Sequence, residues 1–237
     1  MPKALTREDV IERLHTCPID SYALIANVAK GIALGVGSLV LLQILAQLQT
    51  EWVRLIPWWA SLSVVLLSYV KWTRGTILTN SRSNILDSLF PLSMGIVEFL
   101  LFAILGVQKD LNSSLWLNWG AVLGLHGLTG AALVSNRIRL TKLGEDFDAE
   151  IRALGEQYLS WLRADRLQAF AVGVFALSTW AFGRLWLTPT HDVWLQSSLA
   201  VVVGLGSCKP LSDARKEHDQ IDSYVSKKKE VTSPAAA

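Results

Sequence analysis

Apolar residues gather into six stretches along the chain, at 31–48, 55–72, 89–107, 115–134, 167–187 and 193–208, with charged and polar residues between them. A helix rises about 1.5 Å per residue, so roughly 20 residues cross a hydrocarbon core of about 30 Å. The third to fifth stretches meet that length, the first two can draw on flanking apolar residues, and the sixth is the shortest. The pattern predicts an all-α, polytopic membrane protein with six transmembrane helices arranged as three hairpins. Short turns at 49–54, 108–114 and 188–192 would join each pair. A secretory signal does not fit the first stretch, because about thirty polar-rich residues precede it and no small-residue cleavage site follows.

Charge gives the spans a direction. Lys3, Arg7, Arg13 and Lys30 precede the first span, Lys71, Arg74 and Arg82 separate the second and third, and six cations from Arg137 to Arg166 separate the fourth and fifth. Six more follow the sixth span, including Lys227, Lys228 and Lys229. Nineteen of the 22 cations therefore fall on one side, and only Arg54, Lys109 and Arg184 on the other. Positive loops stay inside, so both termini are expected in the cytoplasm and the membrane is expected to be the plasma membrane. Trp52, Trp58, Trp59, Trp116, Trp119, Trp186 and Trp194 are expected at the outer boundary, where indoles favour the interface.

Three segments flank or interrupt the bundle. Residues 1–21 predict an N-terminal amphipathic helix, capped at Thr6, striped by Val10, Ile11 and Leu14, and ended by Pro18. Within the transmembrane domain at 22–208, residues 143–162 predict a cytoplasmic amphipathic helix, with Leu143, Phe147, Ile151, Leu154, Tyr158 and Leu162 on one face. Its polar face is acidic, which suits neither anionic lipid nor nucleic acid, so it should pack beneath the bundle or against a partner protein. Residues 209–237 read as a charged cytoplasmic tail, disordered over its last ten or so residues.

Ionisable groups inside a membrane are costly, which makes them default functional candidates. Glu98 lies about 14 Å from the inner end of span three, and His126 about 16 Å deep in span four, at the helical rise. Their depths nearly match on consecutive antiparallel helices, so they can form an imidazole–carboxylate pair. Such a pair either pins two helices together or relays protons, since imidazole titrates near neutral pH. Gly120, Gly124, Gly127 and Ala131 define a close-packing face on span four, and His126 lies roughly 130° around the helix from it. Only a second packing surface would turn His126 toward span three.

Several chemistries are excluded or unsupported. A lone intramembrane histidine does not supply the two ligands of a transmembrane b-type haem. No lysine lies mid-span for a retinal Schiff base, and the potassium-filter sequence is absent. Residues 204–209 lack the spacing of a phosphate loop. Cys17 and Cys208 lie at the cytoplasmic boundary, so no disulfide is expected, and two cysteines do not make a zinc site. No catalytic, cofactor-binding or metal-ligating residue is assigned, and no nucleic-acid partner is expected. Cytoplasmic segments total about 98 residues against 18 in the outer turns. That imbalance points first to a non-enzymatic membrane subunit, sensor or effector acting through a cytoplasmic partner or self-association. The alternative is a small proton-coupled transporter or ion channel using Glu98 and His126.

Overall fold

The computed structural model describes residues 21–78, 85–106, 116–140 and 149–232. The described residues are all-helical, without strands. Six long helices follow in order: α1 (Ser21–Ala46), α2 (Leu55–Leu78), α3 (Ile85–Gly106), α4 (Trp119–Leu140), α5 (Ala149–Trp186) and α6 (Pro189–Thr232). A helical turn at Leu48–Glu51 and a 3-10 turn at Trp52–Arg54 join α1 to α2, and a second 3-10 turn at Trp116–Asn118 leads into α4. The predicted N-terminal helix, Cys17, the turn at 108–114 and the start of the 143–162 segment lie outside the described residues.

Among the described residues three helical segments are long and apolar enough to cross a membrane: Asn27–Ala46, Trp52–Lys71 and Gly155–Trp186. Leu92–Gly106 is apolar but shorter. The glycine-rich α4, with His126 and two arginines in its last turn, and the charge-bearing α6 are not among them. Large apolar side chains point outward on several helices. Leu39 and Leu42 of α1, Leu167 and Leu185 of α5 and Leu205 of α6 are all exposed. An apolar exterior of this extent marks contact with lipid or another protein.

Small residues set the closest helix approaches. Along α1 and α3, Ala29 meets Gly95, Gly37 meets Phe102 and Val40 meets Gly106, so these two helices run parallel. The α4–α5 contact runs the other way: Gly124 and Gly127 face Gly173, Leu177 and Ala169. A Cβ on Gly127 would stand 2.6 Å from the Gly173 backbone, so neither position accepts a side chain without moving a helix. In the third close pairing, Gly204 of α6 seats the Trp59 ring of α2. The tightest packing therefore joins α4 to α5, α1 to α3 and α2 to α6, while the predicted hairpin partners α1 and α2 touch less extensively. Contacts of Gly37 with Trp58 and of Lys30 with Ser68 make α1 and α2 antiparallel. Asp192 against Gly183 does the same for α5 and α6. Val40, Ile44, Leu101, Leu105, Leu117, Trp119, Leu123, Leu199 and Val203 form the central core.

Three expectations change in detail. The amphipathic segment is not a separate helix. From Ala149 it continues without a break into span five, and Tyr158 and Leu162 are buried. Nothing in its sequence interrupts the helix, since no proline or glycine pair falls between Ile151 and Arg166. The tail is helical through Thr232, passing Pro210, whose missing N–H removes one rung of the ladder. Finally, the boundary tryptophans divide. Trp52, Trp59, Trp186 and Trp194 are exposed, whereas Trp119 is fully buried and Trp58 partly so. Trp119 donates to Ser61 Oγ at 2.9 Å and Trp58 to the Gly37 carbonyl at 2.7 Å, so each inward indole keeps its hydrogen bond.

Candidate functional site

Four helices converge on one carboxylate. Glu98 of α3 is 0% exposed, and its Oε1 and Oε2 accept from Lys30 Nζ of α1 at 2.7 and 3.0 Å. Ser68 of α2 accepts from the same ammonium at 2.6 Å. Its hydroxyl stands in bonding contact with both Glu98 Oε1 and the Val65 carbonyl, and its single proton can satisfy only one of them at a time. His126 Nε2 of α4 stands 3.5 Å from Glu98 Oε1, too long for a well-formed hydrogen bond, and is otherwise unpartnered although buried. The carboxylate thus has one firm ionic partner, one hydroxyl partner and one imidazole at the edge of reach.

The structure brings Glu98 and His126 together, and the local reason is that α4 has two packing surfaces. Its glycine face lies on α5, while the side bearing His126 meets α3, where Met94 also approaches Gly130. Lys30 and Ser68 were not singled out by sequence. Lys30 immediately precedes the stretch at 31–48 and counts there as a boundary cation. In the structure it is the fourth residue of the apolar segment Asn27–Ala46 and is buried. The signal was the apolar run before it, Ala23-Leu-Ile-Ala26, which carries the span past the lysine on its N-terminal side. Ser68 stands in bonding contact with its own helix at the Val65 carbonyl, as helical serines commonly do, and nothing in its sequence context marks its second role.

A cavity of about 340 Å³ reaches this cluster. Lys30, Ser68 and His126 line it, together with Val64, Leu123, Val172 and Val203 and, toward the ends of α2 and α4, Lys71 and Arg137. Lys71 Nζ donates to Asp165 Oδ1 of α5 at 2.6 Å and so ties α2 to α5 at the cavity wall. Tyr158, Trp161 and Leu162 from the extended start of α5 complete that end.

A separate polar group closes the opposite end of the bundle. Trp180 and Arg184 donate to Asn118 Oδ1 at 3.1 and 3.3 Å, and Gln196 donates to Asp192 Oδ1 at 3.1 Å. Arg184 Nε lies 3.9 Å from Asp192 Oδ2. Arg184, counted by sequence among the outer cations, ties α5 to α4 and α6. Gln43 and Gln47, which share a face by spacing, are both exposed, and Gln47 lies in the turn that ends α1.

No protein-family model matches the chain, and no curated protein or solved structure matches it.

Proposed function

We propose that this chain is a non-enzymatic, multi-pass membrane protein of the transporter or channel class, in which the Glu98–His126 pair responds to protons. On this reading its six long helices form three membrane hairpins with both termini in the cytoplasm of a plasma membrane. The shorter apolar helix α3 and the polar α4 and α6 cross because the bundle shields them: intramembrane polar residues turn inward, as Glu98 and His126 do. The observation that carries the functional reading is the cavity that ends on Lys30, Ser68 and His126, around a fully buried carboxylate. Pockets of roughly 300–1,000 Å³ with a few convergent polar groups are the usual form of small-molecule sites.

Chemically, the cluster has two arrangements. With Glu98 ionised, Lys30 is its counter-ion and His126 stands aside. With a proton taken up by the pair, the Lys30 ammonium is released from Glu98 toward the cavity. A change of charge pairing beside a solute site is the elementary step by which proton and solute binding become linked. The reading as a partner-dependent subunit rested on cytoplasmic mass. Tyr158 and Leu162 turn part of that mass into the wall of the chain's own cavity, which favours the transport reading.

Reconstitution into vesicles tests this. A pH gradient should drive flux of protons or a solute that E98Q and H126A abolish while both variants remain monodisperse and helical. Flux indifferent to both substitutions removes the pair from the mechanism.

A further inference from the structure

We propose that the solute of the cavity between α2, α4, α5 and α6 is an uncharged, lipid-soluble small molecule, such as an aromatic alcohol, which enters sideways between α5 and α6. This rests on the reading of the helices as membrane spans, and it names the substrate class of the same site. Three observations carry it.

The first is the state of the charges. Lys30 is held by Glu98, Lys71 by Asp165, and Arg137 has a partner of its own. Among the described residues, therefore, no lining cation stands free for an anionic solute, and the lining carboxylate of Asp165 is not free for a cationic one. A charged solute would leave water without gaining a counter-ion, whereas an uncharged one forfeits nothing by the pairing already in place.

The second is the character of the wall. Apart from those pairs it is mainly apolar, with Val64, Leu67, Leu123, Val172 and Val203, and Trp161 and Phe175 add aromatic faces. The cluster of Lys30, Ser68 and His126 gives one polar region, which a hydroxyl or carbonyl on an otherwise apolar molecule can meet. At about 340 Å³ the cavity lies at the low end of the small-molecule range.

The third is the route. Phe175 and Val202 line the cavity yet are 54% and 59% exposed, so its wall reaches the outer surface between α5 and α6. Exposed Phe170, Val174, Val201 and Leu205 continue that apolar surface on both helices, and in a bilayer it faces acyl chains. Gly127 packs on Gly173, which sets His126 near the level of Phe175. The opening thus stands beside the polar region, and a solute dissolved in the lipid reaches it without crossing the interface.

Trp161 lines the cavity and serves as reporter. Protein in nanodiscs is titrated with 4-bromobenzyl alcohol, 4-bromobenzoate and (4-bromobenzyl)trimethylammonium, which share one ring and differ in charge. Bromine quenching of tryptophan is followed at equal probe concentration in the membrane. The alcohol should give a saturable component that W161F diminishes, and the two ions should bind at least about tenfold more weakly. Gly130 is the position to fill: a Cβ there meets only Ala169 and Met94, at 3.8 and 4.0 Å, and both line the cavity. G130L should abolish the saturable component, and V172F, from the facing helix, should do the same. Linear quenching by the alcohol, unchanged in G130L and V172F, would mean contact with surrounding lipid only and overturns the proposal. Either ion binding as tightly as the alcohol overturns the uncharged class. Saturable binding of the alcohol without pH-driven flux supports the site and refutes the transport reading; flux without binding does the reverse.

Discussion

Replacing Lys30 by Met removes the one cation that, among the described residues, is hydrogen-bonded to the Glu98 carboxylate, which is 0% exposed. Methionine keeps the length and apolar stem of lysine, so the change isolates the ammonium. Glu98 then loses contacts at 2.7 and 3.0 Å and retains the Ser68 hydroxyl and an imidazole at 3.5 Å. Breaking a buried pair by deleting one partner typically costs about 3–5 kcal/mol, because the surviving charge is left uncompensated. A chain of this size loses about 2–4 °C per kcal/mol, so Tm should fall by roughly 6–20 °C. Helical ellipticity followed during heating in detergent measures it. The informative companion is K30M/E98M, in which both charges are gone. Since an apolar pair of similar volume is commonly neutral or better, the double variant should return close to the parent Tm. A shift below about 2 °C in K30M, or a double variant as unstable as the single, would refute the claim that these two groups are a desolvated ion pair.

The α4–α5 seam gives a sharp contrast between neighbouring glycines. Gly127→Ala places a methyl 2.6 Å from the Gly173 backbone and should destabilise by about 1–3 kcal/mol, whereas Gly130→Ala meets nothing closer than 3.8 Å and should be neutral or mildly favourable in the same melt. Topology is tested in a background with Cys17 and Cys208 replaced. A cysteine at exposed His191 should react with an impermeant reagent in intact cells, and one at exposed Lys209 should not. Labelling at Lys209 would mean that α6 does not cross. Asp192 is a poor probe for this purpose, because it is 2% exposed and bonded to Gln196.

Helical class and the proximity of Glu98 to His126 were accessible from sequence because each depends on one-dimensional quantities: the length of an apolar run, and depth counted at a fixed rise per residue. Which helices pack most tightly was not. Consecutive spans joined by short turns predict hairpin contacts, yet the closest approaches are set by Gly95 on Ala29, Gly127 on Gly173 and Gly204 on Trp59, and glycine spacing does not name its partner helix. Lys30 shows a different limit. A lysine at the end of an apolar run reads as a topology signal, because its long stem normally carries the ammonium to water. Only the presence of Glu98 at reach on a helix 68 residues away turns it inward. Ser68 has no such signal at all, since a helical serine bonded to its own preceding turn looks complete. The continuity of α5 was hidden by the change from acidic amphipathic to apolar composition near Arg166, which resembles a boundary in hydropathy though the backbone has no reason to stop there.

Infrared difference spectroscopy on the protein in lipid nanodiscs, between neutral and acidic pH, asks directly whether Glu98 exchanges a proton. A protonated-carboxyl C=O band is expected on acidification, absent in E98Q and displaced in H126A, because His126 is the imidazole beside Glu98 Oε1. A difference spectrum in which E98Q removes nothing would leave the carboxylate as a fixed ionic pin between helices, and the proton-linked reading would fail.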